Sequence, residues 1–159
     1  MSLQIREANE ADIPVIAWFI RQLAEYERLL HEFVMTEETL RESLFGAHPC
    51  AEVLLAYDGD KPVGFAVFFH NFSTFLGKPG LYLEDLFVIP EMRGKGFGRA
   101  LLSRLAKIAC ERHCGRFEWA VLDWNKPSIE FYKKLGAMPM DDWTIFRVTG
   151  DALKKLAEK

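Results

Sequence analysis

The sequence predicts an α/β domain built on a mixed sheet, and three observations carry that reading. Short β-rich runs alternate with segments whose apolar residues recur at helical spacing. A strong hairpin signal, Asp58-Gly59-Asp60-Lys61-Pro62, joins two early runs and implies antiparallel pairing. Later in the chain a strand, a helix and a further strand follow one another, which implies a crossover.

Residues 4–8 (Gln4-Ile5-Arg6-Glu7-Ala8) read as a short strand. Asn9 with Asp12 resembles a capping pair, and Ile13, Ile16, Ile20, Leu23 and Ala24 then recur at helical spacing. Thr36 with Glu37 and Glu38 opens a second helix through Leu40 and Leu44, because a hydroxyl cap and first-turn acids suit a helix N-terminus. Residues 52–57 and 63–69 are the two hairpin strands. Gly77-Lys78-Pro79-Gly80 reads as a loop, and Leu81–Ile89 as a long strand stopped by Pro90. After Gly98, the residues Ala100, Leu101, Leu102, Leu105, Ile108 and Ala109 form the apolar stripe of a helix ending near Cys114-Gly115. Phe117–Leu122 is an apolar strand. Pro127 starts a short helix that Gly136 stops. Residues 143–148 are expected as a last strand and 151–158 as a terminal helix.

At 159 residues and 50% apolar, the chain is expected to be a single domain over residues 4–159, with 1–3 set aside as a potential expression remnant. A net charge of −3 gives no general pull toward nucleic acid or an anionic membrane. No apolar run approaches the ~18 residues of a membrane span and the start carries no secretory pattern, so a cytoplasmic location is expected. Cys50, Cys110 and Cys114 are an odd number without a CxxC. Cys110 and Cys114 share a helix face, which suits a metal pair or a redox pair. Burial as small apolar residues is the favoured reading, and with His31, His48, His70 and His113 scattered, no metal site is expected.

The chemistry concentrates in Tyr82-Leu83-Glu84-Asp85-Leu86-Phe87-Val88 and the following Pro90-Glu91-Met92-Arg93-Gly94-Lys95-Gly96-Phe97-Gly98-Arg99. A strand runs into a glycine-rich turn that opens a helix. Glycines remove the Cβ atoms that would keep a phosphate from backbone N–H groups, and the helix N-terminus adds its positive end. Arg93, Lys95 and Arg99 add charge. A Walker loop would need Ser or Thr after Gly94-Lys95, where Gly96 stands, and a dinucleotide fingerprint would need a small residue at Arg99. Solvated charges on a flexible turn are the bland alternative.

Arg93-x-x-Gly96-x-Gly98 is the pyrophosphate-loop signature of the GNAT acetyltransferases, and the chain resembles that family along nearly its whole length. Trp124-Asn125-Lys126-Pro127-Ser128-Ile129-Glu130-Phe131-Tyr132 resembles the family's second block. Tyr82-Leu83-Glu84-Asp85 and Val121-Leu122-Asp123-Trp124-Asn125 narrow the resemblance to the branch of diamine (spermidine/spermine) and thialysine N-epsilon-acetyltransferases. Phe72-Ser73-Thr74-Phe75 leans toward the thialysine side, because the polyamine enzymes are expected to carry an acid where Ser73 stands.

The resemblance implies a GNAT fold, with a mostly antiparallel sheet of six to seven strands and four to five helices. It also implies acetyl-CoA as co-substrate, with no metal, and direct acetyl transfer to the primary amine of a small cationic acceptor. It makes Glu84 the general base, through a water, and Tyr132 the acid that protonates the departing thiolate. Leu86, Phe87 and Val88 would pair with pantetheine through backbone; Arg93, Gly94, Lys95, Gly96, Phe97, Gly98 and Arg99 would hold the phosphates. Asn125, Ser128 and Tyr132 complete the donor site. A carboxylate inside an apolar strand is costly unless it faces a polar cavity, which fits Glu84. Asp85 would point the other way in a regular strand, so both acids reach an amine only across a bulge, which the family carries at this strand.

On the acceptor side, Tyr26 and Glu27 match the family's substrate-covering segment, and Glu118 and Trp119 are weaker candidates. Most other acids of residues 25–42 read as a solvated helix face. The expected partners are a small-molecule amine and a second copy of the chain, with neither nucleic acid nor membrane. A peptide or antibiotic amine is the alternative acceptor. A non-catalytic acyl-CoA sensor is the rival class, and it would need neither Glu84 nor Tyr132.

Overall fold

A computed structural model describes residues 2–158; Met1, and Lys159 at the end of the expected domain, lie outside the described residues. Two compact units divide the chain, residues 1–120 and 121–159.

In the first unit β1 (Leu3–Glu7) is followed by a 3-10 turn at Glu10–Asp12 and helix α1 (Ile13–Tyr26). The capping pair read from the sequence is present: the Asn9 side chain accepts from Ala11 N–H, and Asp12 accepts from Asn9 N–H at 2.8 Å. Asp12 also takes a two-pronged bond from Arg6, at 2.8 and 2.9 Å, which ties the helix start to β1 and lowers the Asp12 pKa. Thr36 caps α2 (Glu37–Phe45) together with Thr39.

The hairpin signal closes as a two-residue turn, Gly59-Asp60, between β2 (Glu52–Asp58) and β3 (Lys61–Ser73), with Gly59 at φ +62°. β4 (Lys78–Val88) pairs antiparallel with β3, and α3 (Phe97–Glu111) leads to β5 (Arg116–Trp119), which pairs parallel to β4. The sheet order is β1-β2-β3-β4-β5, mixed as expected. β4 starts three residues earlier than the Pro79-Gly80 signal suggested. Pro79 lies opposite Phe72 without needing to donate, and its carbonyl accepts from Gly115 N–H at 2.9 Å.

Alternation along β3 and β4 assigns the helices to opposite faces. Phe65 and Phe87 are register partners, and Phe19 of α1 stacks on Phe65 at 5.1 Å and meets Phe87 at 6.4 Å. Gly64 and Val88 face the other way, toward Leu101 and Gly98 of α3. The core is therefore two-sided, with Phe19, Phe65, Phe97, Leu101 and Leu105 almost wholly buried. Arg112 fastens the end of α3 to β2 through two bonds to Glu52, at 2.7 and 2.9 Å.

The second unit contains α4 (Lys126–Lys134) and α5 (Gly150–Ala157). Pro127 stands in the first turn of α4, and Gly136 follows its end at φ +94°.

Three expectations need correction. The described residues form five strands, not six or seven, because 143–148 is not a strand. Trp143, Ile145 and Phe146 are exposed, and a β-prone run without a neighbouring ladder to join does not become a strand. The strand expected at 117–122 stops at Trp119. The cysteines are not buried: Cys110 is exposed because the apolar stripe of α3 runs through Leu101, Leu105 and Ile108 and misses it, Cys114 is half-buried beyond the end of α3, and Cys50 is exposed in the segment before β2. Among the described residues no group of three or more His, Cys, Asp or Glu is placed to hold a metal, and no helix is long and apolar enough to cross a membrane.

Candidate active site

The strand that carries Glu84 is irregular at that residue. Val67 lies opposite Asp85 and Phe68 opposite Leu83, so Glu84 is the extra residue of a bulge with no partner across the ladder. The extra residue changes the phase of β4. Tyr82, opposite Phe69, and Asp85, opposite Val67, share the α1 face, although a regular strand would set residues three apart on opposite faces. The parallel ladder to β5 ends at Leu83 and Trp119, one residue before the bulge. Asp85 to Val88 are therefore paired on the β3 side alone, as a backbone waiting for a pseudo-strand would be.

Acidic groups converge there. Asp85 is largely buried, and burial with the charges of Glu84 and Glu27 pushes its pKa up to about 7. Glu27, at the end of α1, is raised by burial and by Glu84. Tyr82 is raised by burial, Glu84 and Glu118. Burial and mutual repulsion thus make the Asp85 and Glu27 carboxyls hold their protons more firmly, and such perturbed groups cluster at functional sites. Tyr82 joins this group although it is not among the candidate residues the sequence offers. Its position two before Glu84 was the available signal, but the bulge decides its face. Glu118 lies opposite Tyr82 and accepts from Asn71 at 3.4 Å, while Trp119 packs on Phe117.

The glycine loop adopts the conformation its composition suggests. Gly94 and Gly96 lie at φ +75° and +91°, and Gly96 is the N-cap of α3 with no side-chain cap. The first-turn N–H groups of α3 are left for an external acceptor, and Arg93, Lys95 and Arg99 are exposed around them. The loop thus fits a phosphate-bearing donor. The Phe97 side chain belongs to the core, so only its backbone can serve a ligand; the same holds for Phe87. Lys95 Nζ rests 3.8 Å from Met92 Sδ, and Arg93 donates through Nε to the Val88 carbonyl at 2.9 Å.

Gly98 is needed for a different reason from Gly94 and Gly96. It is helical, and a Cβ there would meet only a Val88 methyl, at 3.9 Å. Gly98→Ala is expected to leave the melting temperature unchanged or slightly raised, because alanine is the better helix former by about 1 kcal/mol. CoA affinity should fall about tenfold or more, since the added methyl blocks backbone approach to a phosphate. Calorimetric titration with CoA checks this.

In the second unit the Asn125 side chain accepts from Ser128 N–H at 3.4 Å and caps α4. Tyr132 lies on that helix with its ring against Phe131 at 5.7 Å. Ser73, the position used to separate the branches, is buried in the β3–β4 turn and accepts there from Leu76 N–H at 3.2 Å.

A bulged strand with an acid at the bulge, leading into a glycine-rich helix start, suits a transferase that takes a phosphate-bearing donor. The pattern of the acetyltransferase (GNAT) family matches residues 15–137, and the chain belongs to that family: it is an N-acetyltransferase that uses acetyl-CoA as its donor. It is 40% identical to thialysine N-epsilon-acetyltransferase of Sus scrofa over 99% of both chains. It is 34% identical to L-ornithine N5-acetyltransferase of Arabidopsis thaliana over 98% of this chain and 88% of that protein. Among solved structures, an integron cassette protein from the mobile metagenome of V. cholerae superposes with a TM-score of 0.83, at 29% identity, over 100% of this chain and 99% of that one.

Proposed function

We propose that the acceptor is a small amino acid with a terminal primary amine, of the thialysine, lysine or ornithine type, with diamines and polyamines used less well. The observation that carries this reading is the trio Glu27, Glu84 and Asp85, three carboxylates gathered beside a basic, glycine-rich loop. A cationic amine is drawn to the first and a polyanionic donor to the second. The names borne by the thialysine and ornithine acetyltransferases that the chain resembles agree with this choice.

In the proposed reaction the ammonium, with an ordinary pKa of about 10.4, loses a proton to Glu84 through a water. Asp85 and Glu27 hold it, with Tyr26 beside Glu27 at the end of α1 and Glu118 and Trp119 on β5. The bulge frees a backbone N–H to support negative charge on the thioester oxygen. Leu86, Phe87 and Val88 offer backbone to the pantetheine arm, and residues 93–99 take the phosphates. Asn125 and Ser128 would contact the donor, and the Tyr132 hydroxyl would give its proton to the departing thiolate. A phenol of pKa near 10 suits a thiol of pKa near 8–9. Residues 4–159 would act as one domain, in the cytoplasm and as a homodimer.

CoA release from acetyl-CoA across thialysine, lysine, ornithine, putrescine and spermidine tests the acceptor assignment. The expected result is a kcat/KM for thialysine or ornithine at least about tenfold above that for spermidine, because one well-placed interaction difference is worth that much. Preference for spermidine would overturn it.

A further inference from the structure

We propose that Tyr26 is a positioning residue that couples the two substrate sites: donor bound at the glycine loop fixes Arg93, Arg93 fixes Tyr26, and Tyr26 fixes the acidic face that holds the acceptor. The inference rests on the proposed function and adds to it the residues through which bound CoA strengthens amine binding.

Arg93 is the first basic residue of the loop, yet its side chain turns back on the body of the unit. Its Nε donates to the carbonyl of Val88 at 2.9 Å, and its guanidinium lies over the Tyr26 ring at 4.6 Å and the Phe87 ring at 5.2 Å. The two rings meet edge-on at 6.4 Å. One cation thus joins the end of β4, the C-terminus of α1 and the phosphate loop. With Nε engaged, the remaining guanidinium N–H donors are free in geometry to take a phosphate oxygen.

The helix end behind Tyr26 is built to hold direction. Leu29 N–H donates to Ala24 carbonyl at 2.9 Å and Arg28 N–H to Glu25 carbonyl at 3.1 Å, the paired bonds of a Schellman ending. The left-handed position is occupied by Arg28 at φ +63°, where glycine would be unstrained. A side chain kept there implies that neighbouring contacts over-determine the turn. Tyr26 and Glu27 are consecutive at this fixed end. Tyr26 meets the cation of the donor loop, and Glu27 feels the charges around Glu84 and Asp85. Movement of one carries the other.

Calorimetric titration with thialysine, without and with saturating CoA as the unreactive donor product, tests the coupling in wild type, Tyr26→Phe, Tyr26→Leu and Arg93→Gln. CoA is expected to tighten thialysine binding about three- to thirty-fold in wild type, the range a cation–π contact spans, and Tyr26→Phe should retain it because the ring remains. In Tyr26→Leu and Arg93→Gln the tightening should fall close to one-fold at saturating CoA. Equal tightening in wild type and Tyr26→Leu, or none in wild type, overturns the coupling. Wild-type protein that binds neither CoA nor thialysine overturns the proposed function, and the coupling with it.

Discussion

Glu84→Gln is expected to lower kcat with thialysine by about a hundredfold to ten-thousandfold, the range a positioned general base supplies. Glutamine keeps the size and leaves the bulge intact, since the bulge is set by the register of Val67 with Asp85 and Phe68 with Leu83. CoA affinity should therefore stay within about twofold, because the loop at 93–99 lies beyond the substituted position. The loss should be largest at low pH, where few acceptor molecules are already neutral. If Glu84 only attracted the ammonium, KM would rise while kcat held. A kcat within threefold of wild type would assign the base elsewhere, with Asp85 the first candidate.

Asp85→Asn should produce the second large effect, and it is one of stability. The Asp85 pKa is raised from 3.8 to about 7 by burial and by the charges of Glu84 and Glu27. An acid raised in this way favours the folded state while it keeps its proton. Its contribution is whole below the ordinary carboxylate value and is lost as pH rises through about 7. Between pH 5 and 8 the unliganded protein should lose about 2–3 kcal/mol from this group, which at this chain length is several degrees of melting temperature. Glu27, raised in the same direction, adds to the slope. Asp85→Asn should flatten the profile and melt higher than wild type at pH 8, and thialysine should protect wild type more than the variant. A wild-type melting temperature that rises from pH 5 to 8 would contradict the assignment. In the proposed reaction the stored cost has a use: a carboxyl group that titrates near pH 7 would gain its charge when an ammonium arrives.

Features encoded by neighbouring residues were legible in the sequence. The Asn9–Asp12 cap, the Gly59-Asp60 turn and the glycine loop each depend on a few consecutive residues, and each stands where the pattern put it. Features made by pairing were not. The bulge at Glu84 arises from what β3 places opposite β4, so spacing alone could demand it but not locate it; the family resemblance supplied it. Trp143 to Val148 carry β-prone residues, yet propensity without a partner ladder leaves them unpaired. Ser73 serves in the sequence only to separate two branches of a family; that its hydroxyl accepts from the Leu76 N–H of its own turn is visible only in the fold. The Arg93–Tyr26 stack joins residues 67 positions apart and leaves no mark in local pattern.

The proposed reaction is direct acetyl transfer from a donor held at the glycine loop to an amine held at the acidic trio. Mass analysis of products after mixing protein, acetyl-CoA and thialysine tests it most directly. Equal amounts of CoA and N-acetylated thialysine are expected, with no acetyl group on the protein after exposure to acetyl-CoA alone. CoA released without acetylated amine, or an acetyl group carried on the protein, would contradict it.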